Sequence, residues 1–232
     1  MRAIAGVLIV AAMSLGVTSS SQAQVNPRRT PGALMDAAKQ ACETAIDNRM
    51  SRLHTLRVFN TDSTHETSAH KTRLDDQLAA AEQGLSDLRA KIDGDTDPTT
   101  LRSDCRAIAD DYRVYDLVSP KVREVLVADW ETDIATRLDA IATKIQNAIN
   151  AAKSKGKDTT TAQSDLDQMK TQIANAKAAI SGVASSVIDL KVSDWPGAHA
   201  TMMTGRQSLR TGRDDLRGAR NDGWNVVRAL KS

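Results

Sequence analysis

A seven-residue repeat near the C-terminus carries the most regular set of charged side chains in the chain. Residues 204–210, TGRQSLR, are followed at once by residues 211–217, TGRDDLR. Steps of four and three residues place the arginines on one helical face: Arg206, Arg210, Arg213, Arg217 and Arg220. Guanidinium groups bind phosphate and carboxylate through paired hydrogen bonds. The row could therefore bind an anionic polymer or lipid head groups, or it could pair with acidic residues of the protein itself.

We favour the structural role for this arginine row. Leu209 and Leu216 lie beside it, with Gly205 and Gly212 between them. Each glycine costs about 1 kcal/mol of helix propensity, which close helix packing could offset. The acidic residues expected to pair with the row lie on the second predicted helix: Asp75, Asp76, Glu82 and Asp87.

Two cysteines, Cys42 and Cys105, are the other residues whose chemistry the sequence suggests. An even number of cysteines in an exported chain is typical of a disulfide, and two cysteines allow a single intramolecular pairing. Two free buried thiols are the alternative. Neither cysteine has a histidine nearby in sequence, so a catalytic thiol is not indicated. We therefore predict a Cys42–Cys105 disulfide.

Two segments resemble metal sites only superficially. His65 and His70 flank a glutamate, but they lie five residues apart, whereas the zinc-protease helix needs a spacing of four. Residues 93–97 contain alternating aspartates, but Pro98 stands where a calcium loop needs glycine. We interpret the histidines as surface polar residues and Asp97 as a helix cap. No metal and no other cofactor is expected.

The N-terminus has the pattern of a secretory signal. Arg2 gives it a positive charge, residues 3–17 form an apolar run, and residues 21–23 place small side chains where a signal peptidase cuts. The run is shorter than the roughly 20 residues that span a bilayer. We expect residues 1–23 to be removed, and an uncleaved membrane anchor is the alternative. The predicted location is the medium or the extracytoplasmic cell envelope, with no transmembrane segment after signal removal.

Composition argues against two classes of protein. Without Arg2, 30 basic residues stand against 29 acidic ones, and this balance argues against a nucleic-acid binder. Only six residues are aromatic, which favours narrow helix seams over a wide core. The sequence has no nucleophile elbow and no phosphate-binding loop after a strand. We therefore expect no enzymatic activity.

Prolines, glycines and apolar heptads divide the chain into helices. Thr30 is expected to cap the first helix and Asp97 the third, each with a proline at the next position. Apolar residues then recur in steps of three and four, the coiled-coil pattern. The predicted helices span residues 31–60, 64–92, 99–119, 120–153, 159–195 and 198–230.

The positions of two interruptions suggest how these helices fold back. Pro120 lies 36 residues before Gly156, and Val192 lies 36 residues after it. Antiparallel pairing around Gly156 would bring both interruptions to the same height. Three residues, Pro120, Trp195 and Pro196, would then form a hinge.

We therefore predict an all-α fold in a single elongated domain, residues 24–232. An antiparallel four-helix base would comprise residues 31–119 and 197–231. A two-helix coiled-coil stalk, residues 120–195, would protrude from it. A continuous rod of two or three strands is the alternative.

The block at residues 104–122, DCRAIADDYRVYDLVSPKV, resembles an uncharacterised group of secreted all-helical coiled-coil proteins of high-GC Gram-positive bacteria. The resemblance covers about residues 42–128. It implies export and helical structure, and it carries over no catalytic residue. The arginine repeat lies outside it.

These patterns favour a non-enzymatic, secreted structural or interaction protein of the cell envelope. The alternative is a peripheral binder of anionic envelope polymer or lipid head groups through the arginine row. A hydrolase is the least supported reading. The expected partner is an unknown envelope component or a protein, not nucleic acid, and an oligomer is compatible with the pattern.

Overall fold

The computed structural model describes residues 30–231, and every regular element in that range is helical. The predicted all-α class is thereby confirmed, while the predicted signal at residues 1–23 lies outside the described residues. Two short segments have other helical types, a π-helical turn at Val114–Val118 and a 3₁₀ turn at Val192–Asp194. The α-helices are α1 (Pro31–Asp62), α2 (Ser68–Gly94), α3 (Pro98–Asp110), α4 (Ser119–Ser154), α5 (Thr160–Ile180), α6 (Val183–Ile188) and α7 (Gly197–Lys231).

Two helix starts follow the predicted capping chemistry. The Thr30 hydroxyl oxygen accepts a hydrogen bond from the Ala33 amide at 3.2 Å. The Asp97 carboxylate accepts one from the Thr100 amide at 2.8 Å. Each bond satisfies an amide that has no partner inside its own helix. Both predicted caps are therefore confirmed.

A first core lies between α1, α2, α3 and the start of α4. Helices α1 and α2 are antiparallel, because the Lys39 ammonium on α1 donates to the Asp93 carbonyl on α2 at 2.7 Å. Further along the pair, Arg57 Nε lies 2.9 Å from an Asp75 carboxylate oxygen. The core is aliphatic, with buried side chains that include Ile46, Leu78, Ile108, Leu117 and Val122.

The disulfide joins α1 to α3 at the edge of this first core. Cys42 and Cys105 are bonded, with Cα atoms 5.6 Å apart. Both side chains pack against the first core. The predicted pairing is confirmed, and it attaches the short helix α3 covalently to α1.

A second core lies between α4, α5 and α7. Helices α4 and α5 are antiparallel, and Gln146 Nε2 on α4 donates to Gln163 Oε1 on α5 at 2.9 Å. Helix α7 packs along both α4 and α5. It starts with Ala198 in the first core and ends where the Leu230 carbonyl accepts a hydrogen bond from Lys157 Nζ at 3.4 Å.

This position of α7 corrects the predicted architecture. The predicted four-helix base requires α7 to lie beside α1, α2 and α3. Instead, α7 packs along α5 and α4. Only its first residues, including Ala198 and Met202, contribute to the first core. The segment predicted as a two-helix stalk is a three-helix bundle. The physical reason is the length of α7, which has 35 residues with buried positions along its whole length. Helix α4 has 36 residues and is long enough to cover those positions.

The third predicted helix is shorter than expected. Helix α3 ends at Asp110, and Arg113 then has φ of 39°, a left-handed conformation that non-glycine residues rarely adopt. The Arg113 guanidinium lies 5.0 Å from the centre of the Trp195 ring, a cation–π contact that holds this turn. Pro120 therefore lies in the first turn of α4, where a missing N–H costs nothing, and it does not kink a longer helix.

The predicted helix 159–195 is also divided. Helix α5 ends at Ile180, and Gly182 follows with φ of 77° before α6 begins. Glycine adopts this left-handed conformation without steric cost, which makes it a common helix terminator. Because the apolar pattern of the sequence continues through this break, it did not indicate that the helix ends at Ile180.

The three residues predicted as a hinge lie in two different settings. Trp195 is half-buried against the first core, and its ring meets His199 edge-on with centroids 5.8 Å apart. The peptide bond to Pro196 is cis. Pro120 lies on the face of α4 beside Arg206 of α7. A hinge at Pro120, Trp195 and Pro196 stays a prediction.

Candidate functional site

Two arginines of the C-terminal row form ion pairs between α7 and α4. Arg206 Nε donates to Glu124 Oε1 at 2.8 Å, and Arg213 Nε donates to Glu131 Oε1 at 3.0 Å. The partners are 82 residues apart in both pairs. Helices α4 and α7 are therefore parallel and stay in register over the heptad between the two pairs.

The two carboxylates of these pairs are buried, while the arginines are half-exposed. Glu131 is 0% exposed and Glu124 is 5% exposed. Burial raises the pKa of both carboxyl groups, and the hydrogen bond and charge of the paired guanidinium oppose that rise. These two arginines thus neutralise buried acids, which is the structural role that we favoured.

The partners of these arginines differ from the predicted ones. The row was expected to meet Asp75, Asp76, Glu82 or Asp87 on α2, but Asp75 and Glu82 pair with Arg57 instead. The cause is the position of α7 along α4, away from α2. Glu124 and Glu131 share the seven-residue spacing of the arginines, and that common spacing was the available signal in the sequence.

The glycines of the repeat permit this close packing. A Cβ atom at Gly212 would lie 2.6 Å from Ile180 Cγ1, and one at Gly205 would lie 3.0 Å from Glu124 Oε2. Real Cβ atoms essentially never show contacts as short as the one at Gly212, and the one at Gly205 is tighter than nine in ten of them. The TGR repeat is therefore the heptad register of α7, with glycine on the packed face and arginine next to it.

A groove between α4 and α7 remains open beside these ion pairs, and we call it the arginine groove. Its volume is about 370 Å³. It is lined by four arginines and one carboxylate, together with Pro120, Val127 and Leu209. The charged residues are Arg123, Glu124, Arg206, Arg210 and Arg213.

Two arginines of the groove are exposed and have no ion pair within residues 30–231: Arg123 and Arg210. Because Arg206 and Arg213 are neutralised by buried carboxylates, these two supply the excess positive charge. A phosphate or carboxylate in the groove could accept hydrogen bonds from both guanidinium groups. Arg123 is outside the repeat, so the sequence pattern did not indicate it.

The last two arginines of the row do not line the groove. Arg217 lies 3.3 Å from Asp214 on the same helix, and both side chains are exposed. Arg220 is exposed as well. The predicted five-arginine row therefore consists of two paired arginines, one unpaired arginine in the groove and two arginines outside it.

The two histidines interpreted as surface residues are half-buried and bind carboxylates of α4. His65 Nδ1 lies 2.8 Å from Asp133 Oδ2, and His70 Nδ1 lies 2.9 Å from Asp129 Oδ2. The Thr67 amide also donates to Asp129, at 3.1 Å. The α1–α2 loop is thus attached to α4, which corrects the surface interpretation. Their partners are about 60 residues away in sequence, which left no local signal.

Glu66 lies between these two histidines and has both carboxylate oxygens buried without a hydrogen-bond partner in the described part of the chain. Burial, and then the charge of Asp129, raises its pKa from 4.5 to about 7, against the opposing charges of Lys71 and His70. The folded state holds the Glu66 proton more tightly than the unfolded state does. The contribution of protonated Glu66 to the free energy of unfolding is therefore fully present below pH 4.5. It is lost as the pH rises through about 7.

Replacing Glu66 with Gln should therefore stabilise the protein at pH 8 and not at pH 4.5. The expected gain at pH 8 is about 1 kcal/mol, less than the full linkage value because solvent screens a partly exposed group. Urea unfolding of both proteins at the two pH values measures this difference. A variant no more stable than wild type at pH 8 would contradict the assignment.

The aspartates that suggested a calcium loop have structural partners at two positions. Asp97 caps α3, and Asp104 accepts a hydrogen bond from Lys91 Nζ at 2.8 Å. Among residues 30–231, no three His, Cys, Asp or Glu side chains are placed to hold a metal ion.

Comparison of the chain with protein-family models, with curated proteins and with solved structures found no match. The resemblance to secreted helical proteins stays a prediction. None of the helices in the described part of the chain is long and apolar enough to cross a membrane.

Proposed function

We propose that this chain is a non-enzymatic, exported structural or interaction protein of the cell envelope. The observation that carries the proposal is the Cys42–Cys105 disulfide, because disulfides persist in oxidising compartments outside the cytoplasm. The signal-like residues 1–23 support the same location. Long helices with narrow aliphatic cores suit a protein that presents surfaces instead of enclosing a reaction.

Fractionation of cells that express the full chain tests this proposal. Intact mass spectrometry should find a protein that begins at Gln24, with both cysteines oxidised, in the medium or the envelope fraction. A cytoplasmic protein that keeps residues 1–23 and has two free thiols would overturn it. A hydrolytic activity that survives purification of the folded protein would overturn the non-enzymatic part.

The arginine groove favours one narrower function, the binding of anionic envelope polymer or lipid head groups. Arg123 and Arg210 have no ion-pair partner within the described residues 30–231. Such contacts are screened by salt over about 8 Å at physiological ionic strength. Binding through the groove should therefore weaken as salt is added.

Sedimentation with phosphatidylglycerol vesicles across a salt series tests the groove. The double variant Arg123→Gln/Arg210→Gln should lose most of the salt-sensitive binding, roughly tenfold or more, because two charge-assisted contacts disappear. It should stay folded, since neither residue pairs with a buried group. The matched control, Arg217→Gln/Arg220→Gln, removes two charges of α7 outside the groove and should bind like wild type. Equal losses in both double variants would leave only a general charge effect.

A further inference from the structure

A second cavity, which we call the Lys121 cavity, lies between α2, the start of α4 and the segment after α6. Its volume is about 570 Å³, within the range of small-molecule sites. Lys121 lines it and is only 6% exposed. A buried ammonium normally has a carboxylate beside it, because an unpaired charge is costly to remove from water.

Lys121 has no such carboxylate within hydrogen-bond reach in the described chain. Its ammonium donates to Gln77 Oε1 at 2.5 Å and to the Leu190 carbonyl at 3.0 Å, and both acceptors are neutral. An ammonium has three N–H donors, so one donor is left without an acceptor among residues 30–231. Gln77 is fixed in turn by donating its Nε2 to the Ile188 carbonyl at 2.9 Å.

Two acidic residues near Lys121, Asp189 and Asp194, are occupied by other groups, and a third, Asp111, is exposed. Asp189, at the exposed rim, is paired with Arg73 of α2. Asp194 accepts the amide hydrogen of Lys191 at 2.7 Å. The cavity is lined by three cationic side chains and two acidic ones, so the lining has a net charge of one positive unit. The cationic residues are Arg73, Lys121 and Lys191, and the acidic residues are Asp111 and Asp189.

The rest of the lining is largely apolar. Leu117 and Val118 are buried beside Lys121, and Ala80 and Val192 lie further along the cavity wall. Tyr112 also lines the cavity. A ligand that suits this lining has one anionic end for Lys121 and an apolar body for the aliphatic side chains.

We propose that the Lys121 cavity binds a small organic carboxylate, with the Lys121 ammonium as its counter-ion. The carboxylate takes the free third N–H of Lys121 and supplies the charge that the protein does not. This site is separate from the arginine groove, since Lys121 and Arg123 lie on different faces of α4, one buried and one exposed. It would give the protein a soluble ligand in addition to any envelope contact.

The pKa of Lys121 reports on the site without any mutation. Burial lowers this pKa from 10.5 to about 8 in the free protein, although Asp189 opposes the shift. A bound carboxylate favours the ammonium and raises the pKa again. NMR titration of lysine side chains, with acetate, hexanoate or benzoate at saturation, should show this rise for Lys121 and for no exposed lysine.

Calorimetric titration with the same probes gives the second measurement. Hexanoate or benzoate should bind more tightly than acetate, because they bury apolar surface. Neutral benzamide and inorganic phosphate should bind weakly or not at all. In Lys121→Met, which keeps the aliphatic stem, carboxylate binding should fall about tenfold or more. Lys144→Met removes an exposed lysine of the same helix and should bind like wild type.

The proposal has clear contrary outcomes. It is wrong if none of the three carboxylates moves the Lys121 pKa or binds to the folded wild-type protein. It is also wrong if phosphate binds in preference to hexanoate and benzoate, or if Lys121→Met binds the carboxylates as tightly as Lys144→Met. Because the NMR titration uses wild-type protein, an unfolded Lys121→Met variant would still leave the proposal tested.

Discussion

Replacing Arg213 with Met is expected to lower the free energy of unfolding by about 3 kcal/mol at pH 7. The change keeps the aliphatic stem but removes the donor to Glu131, which is 0% exposed. Removing one partner of a buried ion pair typically costs about 3–5 kcal/mol. We expect the lower end of that range because the Arg213 side chain is 40% exposed. Urea unfolding, followed by circular dichroism, measures the change.

A matched control is available on the same helix. Arg217→Met removes an exposed arginine that pairs with exposed Asp214, and it should cost less than about 0.5 kcal/mol. The double variant Arg213→Met/Glu131→Leu removes both charges and should recover most of the loss. If Arg213→Met were no less stable than Arg217→Met, the buried pair would not hold α7 to α4.

The loss should also depend on pH. Burial already raises the pKa of Glu131, and the arginine opposes that rise. Without Arg213 the folded-state pKa moves further above the unfolded value, so the variant should lose stability progressively as pH rises through that interval. The difference between variant and wild type should therefore be smaller at pH 5 than at pH 8.

Removing the disulfide is expected to have an effect of similar size. The bond closes a loop between cysteines 63 residues apart, which is worth about 4 kcal/mol on the chain-entropy model. The double variant Cys42→Ala/Cys105→Ala should lose about that much in guanidinium unfolding. Wild-type protein unfolded in the presence of a reductant is the control, and it should unfold at nearly the same denaturant concentration as the variant.

The loss should be concentrated at α3. This helix has 13 residues, and isolated helices of that length are marginal in water. Amide hydrogen exchange should therefore accelerate in α3 of the double variant more than in α4 or α5. An unchanged midpoint together with unchanged exchange in α3 would show that the first core holds this helix without the covalent link.

Local features of the fold were predictable from the sequence because their causes are local. A cap depends on one side chain and on amides three residues away, so Thr30 and Asp97 could be assigned directly. The α4–α5 turn could be placed at Gly156 because polar residues and a glycine interrupt two apolar heptad patterns. The disulfide was predictable because two cysteines allow one pairing.

The partners of each helix were decided by the tertiary structure. An apolar stripe requires that a helix be covered, but it does not specify by which neighbour. The apolar stripe of α7 is compatible with packing against α1–α3 and equally with packing against α4 and α5. The match in length with α4, the close approach of Gly212 to Ile180 of α5 and the paired spacing of Glu131 with Arg213 place α7 in the bundle with α4 and α5.

The candidate sites depend on that selection. Once α7 lies along α4, Arg206 and Arg213 are paired with buried acids, and Arg123 joins Arg210 in the groove. Lys121 is polar by sequence and gave no sign of burial, because α2 and the segment after α6 enclose it from positions far along the chain. The sequence by itself determined the all-α class, the caps at Thr30 and Asp97, and the disulfide. The tertiary structure decided which charges are neutralised and which remain for a ligand, because charge neutralisation depends on distances between separate helices.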